Sequence, residues 1–373
     1  SGVDAGSEKH GVPPLTIRPR SRGLSPESYD KTASPQPEKV KTFLESLTTN
    51  VWHRMPAPSK GTARRDYGTT PYDTARHQII LWGGGHSSHK WTDLAHYSLR
   101  TAEWSIGYRG EEPLNGSFYI DAMRTFRNRS TIPCHVWDGA AYDPPSGKVV
   151  YTKQYAWIYD PARREWDPPV KTPFDPYPLR LAMEATRHGA VCLNKGKLFL
   201  YNDRDRAWAE ITKGMPGAYG DHTGLCYDSK RDCLWWMHSR DNKVVRFDMQ
   251  ERKKSALKPS TRGSFVREIS FAASLDLLVS EYRRPAAGGA VCNEAFNPET
   301  GEWLLLEFPC ADGKPHSSTE KRWNPYSGPR SMHYDPEYNL LIYLDRDPRI
   351  VWVLRPSLKG LKQHKFPAEK KKK

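Results

Sequence analysis

The chain has 373 residues, a formal net charge of +14 and 13 tryptophans. That length buries a sizeable core, and no apolar run approaches the roughly 18 residues a membrane helix needs, so a soluble protein with no membrane partner is expected. A basic surface draws anions, and nucleic acid is disfavoured among them because no nucleic-acid-binding motif is present.

Residues 1–36 are rich in Pro, Ser, Gly and charge, with no apolar period, and read as a flexible arm. Residues 37–49 begin with a proline suited to a first helical turn and set Val40, Phe43, Leu44 and Leu47 on one face, which predicts a short helix. Residues 50–358 read as one domain, and 359–373 as a basic C-terminal tail. The 6 cysteines lack C-x-x-C spacing and sit mostly in strand-like runs as buried thiols. Cys226 and Cys233 are the pair that could face each other across a hairpin.

From His77 to Trp104 an apolar run (Ile79 to Trp82) stops at three glycines, a polar loop carries His86 and His89, and a second run ends at Leu99 before Trp104. Short apolar runs bounded by glycine read as strands. With Gly83, Gly84, Tyr97 and Trp104 in that order, the stretch resembles a kelch repeat, the blade unit of kelch and galactose-oxidase-type β-propellers. The resemblance implies an all-β propeller, and recurrence gives the blade count. First strands are expected from Gly68, Gly139, Gly189, Gly224, Glu268 and Ser331. Second strands are expected at 79–82, 148–152, 197–201, 233–237, 277–280 and 340–344, and outer tryptophans follow at Trp104, Trp166, Trp208 and Trp303. The last copy stops near Arg355, while Trp52 lies in a strand-like segment with no blade before it. An N-terminal outer strand is therefore expected to complete the last blade of a six-blade ring. Residues 107–133 and 167–186 read as insertions, and a seventh blade inside the first of these is the alternative.

Strand parity then locates a site. In an antiparallel blade, the loop before the first strand and the loop after the second lie at the same end. Before first strands this gathers Arg65, His135, Arg187, His188, His222, Arg267 and Arg330; after second strands it gathers His86, His89, Tyr155 and Tyr282. Loops on a rigid scaffold carry function, and this set suits an acidic ligand. The competing structural reading makes the arginines inter-blade salt bridges and the histidines turn caps. A divalent metal could use His86 with His89, or His188 with His222 and Asp221, but no spacing names one. Apart from such a divalent metal, the sequence names no cofactor.

Ulvan and oligogalacturonide lyases resemble this chain in having His, Tyr and Arg at the mouth of a propeller funnel. That resemblance implies β-elimination on an acidic, uronate-containing polysaccharide or oligosaccharide. On this reading His135 or His188 is the base, Tyr155 the acid, and Arg187 with Arg267 the carboxylate clamp. Arg65, His86, His89, His222, Tyr282 and Arg330 bind substrate. A monomer is expected, in an extracellular or periplasmic location with any signal peptide already removed. The copper-radical ligand set of galactose oxidase cannot be placed on this chain. The rival expectation is a kelch-type module that binds an acidic glycan or protein segment without turnover.

Overall fold

Buried turn carboxylates set the strand breaks. Asp73 accepts the backbone N–H groups of Ala75 and Arg76, Asp228 those of Lys230 and Arg231, and Asp335 those of Glu337 and Tyr338. An aspartate that bonds the backbone two and three residues on closes a turn in place of the strand ladder. The residue that resumes the strand takes the left-handed conformation: His77, Gly147, Asp232, Asp276 and Asn339 have φ of 53, 70, 50, 57 and 50°. Such positions favour Gly, Asn, Asp and His.

The computed structural model describes residues 36–62, 68–84, 93–108, 136, 138–153, 155–174, 181–215, 223–238, 243–259, 269–285, 291–313, 332–345 and 347–366. Their strands form six antiparallel sheets around a central axis, a six-bladed β-propeller. In the first blade the inner strand is split by Pro71 into β2 (Gly68–Thr69) and β3 (Tyr72–Asp73), followed by β4 (Gln78–Gly83), β5 (Leu94–Ser98) and β6 (Glu103–Tyr108). The second blade holds β7 (Ala140–Asp143), β8 (Lys148–Lys153), β9 (Tyr155–Asp160) and β10 (Glu165–Lys171). The third holds β11 (Leu181–Thr186), β12 (Gly189–Asn194), β13 (Lys197–Asn202) and β14 (Ala207–Thr212). The fourth runs β15 (Thr223–Asp228), β16 (Cys233–His238), β17 (Lys243–Asp248) and β18 (Lys254–Leu257). The fifth has β19 (Ile269–Ala272), β20 (Leu277–Pro285), β21 (Val291–Asn297) and β22 (Glu302–Glu307).

The sixth blade closes the ring. Its strands β23 (Met332–Asp335), β24 (Leu340–Leu344) and β25 (Val351–Leu354) are completed by β1 (His53–Arg54), which pairs antiparallel with β25 in the register His53↔Val353. The N-terminal outer strand is thus where the sequence places it. Just before it, fully buried Trp52 donates its backbone N–H to Pro309 and its indole N–H to Asn293, tying the closing strand to the fifth blade. Helix α1 (Pro37–Glu45) packs Val40 and Leu44, with Leu47 beyond it, on the shared core of the first and sixth blades.

Two boundaries differ from the sequence reading. The third blade's inner strand is β11, not the run from Gly189, which is the second strand; the register Thr186↔Gly189 makes the two a tight hairpin. Part of the span 167–186, expected to be an insertion, therefore supplies strands β10 and β11. The second difference lies at the C-terminus, where β26 (Gln363–Lys365) pairs with β22 as a fifth strand of the fifth blade, inside the expected tail.

Apolar clusters fill the spaces between adjacent blades. Across the third and fourth strands an aromatic pair recurs, Tyr97–Trp104, Tyr159–Trp166, Tyr201–Trp208 and Phe296–Trp303, with ring centroids 5.2, 5.3, 5.2 and 5.5 Å apart. These are directly opposed residues, where cross-strand aromatics stabilise a sheet most. The fourth blade puts Lys254 opposite Phe247 instead. The five described cysteines are free thiols, and Cys226 sits opposite Trp235 rather than Cys233.

Candidate functional site

The ring has two ends. One carries the hairpins that join first to second strands; call it the hairpin end. The other, the loop end, receives the connections before first strands and after second strands. With β11 as the third blade's inner strand, Arg187 and His188 occupy the turn between first and second strands. They therefore lie at the hairpin end, opposite the end where strand parity had gathered them with the other candidates. Arg267, expected to share a carboxylate with Arg187, lies outside the described residues.

At the hairpin end both side chains converge on Asp232, in the β15–β16 turn of the next blade. Arg187 Nη2 lies 2.5 Å from Asp232 Oδ2, and His188 Nε2 lies 2.9 Å from Oδ1. Tyr227 and Gln250 also donate to the carboxylate, at 2.7 and 3.1 Å. Burial alone would raise this carboxyl's pKa, but the four donors outweigh it and hold Asp232 well below the usual carboxylate range. The arrangement is an inter-blade latch between the third and fourth blades. Arg187 is a salt bridge, as the structural reading allowed, with Asp232 as its partner.

At the loop end the described structure shows Tyr155, the first residue of β9. It is 42 % exposed and touches Trp157 edge-on with centroids 6.1 Å apart, and its hydroxyl has no hydrogen-bond partner among the described residues. Tyr282 belongs to β20, at the irregularity that shifts register between Val279 and Arg283. His135, His86, His89, Arg65, His222, Arg267 and Arg330 lie outside the described residues. The strand ends that flank them (Gly68, Gly83, Ala140, Thr223, Ile269 and Met332) are loop-end termini of first or second strands. Among the described residues no group of three His, Cys, Asp or Glu side chains could hold a metal ion. No described helix is long and apolar enough to cross a membrane.

Around the axis the inner strands enclose a chamber of about 290 Å³. All six blades contribute to it, and its wall includes Tyr72, Tyr142, Tyr227, Tyr334, Phe271 and Glu184, with Arg187 towards the hairpin end. The tyrosines occupy one repeat position, directly before the turn carboxylate. Tyr72 donates to Asp335, the turn aspartate of the preceding blade, at 2.5 Å. Burial first, and then the charge of nearby Asp73, raise the pKa of the Tyr142 phenol. At the equivalent positions the third and fifth blades carry Ala185-Thr186 and Phe271-Ala272 and lack that carboxylate. Tyr227 and Tyr334 therefore bond within their own hairpins, to Asp232 at 2.7 Å and Asn339 at 2.8 Å.

Sequence reasoning did not single out this chamber or the Asp232 latch. The signal was present in the recurring Tyr-Asp pairs at 72–73, 142–143, 227–228 and 334–335. Fold and wall together define the class, a six-bladed propeller with an aromatic-lined axis. No protein-family model matches the chain, and no curated protein matches it.

Proposed function

We propose that the chain is a carbohydrate-active propeller that works at its loop end on an acidic, uronate-containing polysaccharide. The supporting observation is how charge is matched at the opposite end. There Arg76 meets Asp73, Arg231 meets Asp228 and Asp276, Lys230 meets Asp276, and Arg187 meets Asp232. Cations paired in this way leave little field for an anionic ligand at the hairpin end. The chain carries a net charge of +14, and the segments before the first strands contribute Arg65, Arg267 and Arg330. Kinship with kelch-type repeats fits the same reading: Gly83 and Gly84 both take positive φ, and Tyr97 packs on Trp104.

The reaction is β-elimination. Arg267 with Arg330 neutralises the uronate carboxylate, which acidifies the C5 proton; His135 removes it. The C5–H electrons form the C4–C5 double bond as the C4–O bond breaks, and Tyr155 protonates the departing oxygen. Tyr155 suits this part because its exposed hydroxyl has no competing partner among the described residues. His188 and Arg187 drop out of the mechanism.

One observation favours a second reading, a module that binds without turnover. Moving Arg187 and His188 to the other end removes half of the catalytic set expected from the sequence. Incubation with alginate, pectin, ulvan and glycosaminoglycans separates the two readings. New absorbance from an unsaturated uronyl product, lost in Tyr155→Phe, supports the lyase; binding without product in the wild type supports the module.

A further inference from the structure

The geometry points to a second ligand site in the axial chamber, and we propose that it takes a small organic cation of the quaternary-ammonium type. Its wall runs from Ala140 and Met332 at the loop end to Arg187 at the hairpin end, and its ligand is opposite in charge to that of the loop-end site.

Size comes first. A volume of about 290 Å³ sits near the lower limit of ligand pockets and suits a small molecule rather than a polymer. The chemistry of the wall comes next. Tyr72, Tyr142, Tyr227, Tyr334 and Phe271, from five of the six blades, line one chamber; Tyr227 and Tyr334 are half-buried there, while Tyr72, Tyr142 and Phe271 are buried. Two of the phenols donate to aspartates: Tyr72 to Asp335 and Tyr227 to Asp232. A phenol that donates to a carboxylate has a more electron-rich ring, and the face of such a ring attracts cations. Its hydroxyl is also committed, so it is a poor donor to an anion.

Charge in the wall agrees. Glu184 contributes a carboxylate, while the guanidinium of Arg187 is held by Asp232. His333 lines the same chamber, with Nε2 3.0 Å from the Thr70 hydroxyl and its ring stacked 5.6 Å from Tyr72. Aromatic residues with a carboxylate nearby, and with the one arginine among the described wall residues already paired, form a setting in which quaternary ammonium groups are recognised.

The probes are choline and its neutral isostere 3,3-dimethylbutan-1-ol, titrated calorimetrically into the full chain, with glucuronate as the anionic comparison. The proposal expects choline to bind at least about tenfold more tightly than the isostere. E184Q should weaken choline several-fold and leave the isostere unchanged. Tyr334→Leu removes one ring whose hydroxyl bonds only within its own hairpin, and should weaken choline with little change in melting temperature. If either variant unfolds, the wild-type comparison still decides. Equal affinity for choline and the isostere, no binding of choline, or displacement of choline by glucuronate would each overturn the proposal.

Discussion

The hydroxyl of Tyr72 donates a 2.5 Å hydrogen bond to Asp335 across the seam where the first blade meets the sixth. The same carboxylate lies 2.6 Å from His77 Nδ1 and accepts the backbone N–H groups of Glu337 and Tyr338. One fully buried aspartate thus closes a turn in its own blade and fastens the neighbouring one. Asp335→Ala would strand several buried donors at once and is expected to cost about 3 kcal/mol or more. Tyr72→Phe removes one of the four donors and should cost about 1 kcal/mol. Urea unfolding of the two variants checks the order; equal losses would mean that the turn and His77 make no contribution of their own.

Ring closure gives a second prediction. A chain beginning at Gln36 keeps α1, Trp52 and β1, whereas one beginning at Pro56 loses all three and leaves β25 with an unpaired edge. The longer truncation should melt far lower or aggregate, because it also removes the buried Trp52 side chain from the fifth and sixth blades. Thermal midpoints that agree for the two truncations would contradict closure by the N-terminal strand.

The six-blade ring, its closing strand and the helix before it were legible in the sequence because each rests on local patterning. In the third blade glycine does not mark the start of a first strand, because Gly189 opens the second. Gly189 has φ +135°, and a Cβ there would lie 2.8 Å from the Tyr201 carbonyl oxygen. It is a glycine because the hairpin from Thr186 crowds a neighbouring strand, not because a blade starts there. The aromatic pairs carried the correct register: Tyr201 precedes Trp208 by the same step that separates Tyr97 from Trp104 and Tyr159 from Trp166. That spacing makes 197–202 a third strand and moves Arg187 and His188 to the hairpin end. The Asp232 latch was not legible, since its donors come from two blades and meet only in the folded ring.

Acid stability tests a buried imidazole. His96 is almost fully buried, with Nε2 2.9 Å from the Tyr159 hydroxyl. Burial first, and then the fields of Arg164 and Arg76, push its pKa down to about 3. A depressed folded-state pKa means that the unfolded chain binds the proton first. This contribution is fully present above the ordinary value near 6.5 and is lost as pH falls from there towards 3, at roughly 1 kcal/mol per pH unit. His96→Asn should therefore flatten the fall in stability between pH 6 and pH 4, read from urea midpoints at each pH; an unchanged slope would show that His96 does not carry it.

The same ring sets a packing test. A Cβ at Gly107 would sit 2.1 Å from His96 Nε2, and the buried imidazole has nowhere to move. Gly107→Ala should destabilise the protein by about 1–3 kcal/mol. The loss should shrink when the substitution is made in the His96→Asn background, where the side chain is smaller. Equal losses in the two backgrounds would remove the clash as the cause.

The central claim is that an acidic ligand is held at the loop end and not at the hairpin end. The most direct measurement is the affinity of polygalacturonate for the wild type, for Arg267→Ala with Arg330→Ala, and for Arg187→Ala with His188→Ala, at two salt concentrations. The account predicts that the loop-end pair weakens binding about tenfold or more and flattens its salt dependence, while the hairpin-end pair leaves affinity within about twofold. Loss of binding in the hairpin-end pair, with the loop-end pair unaffected, would contradict it.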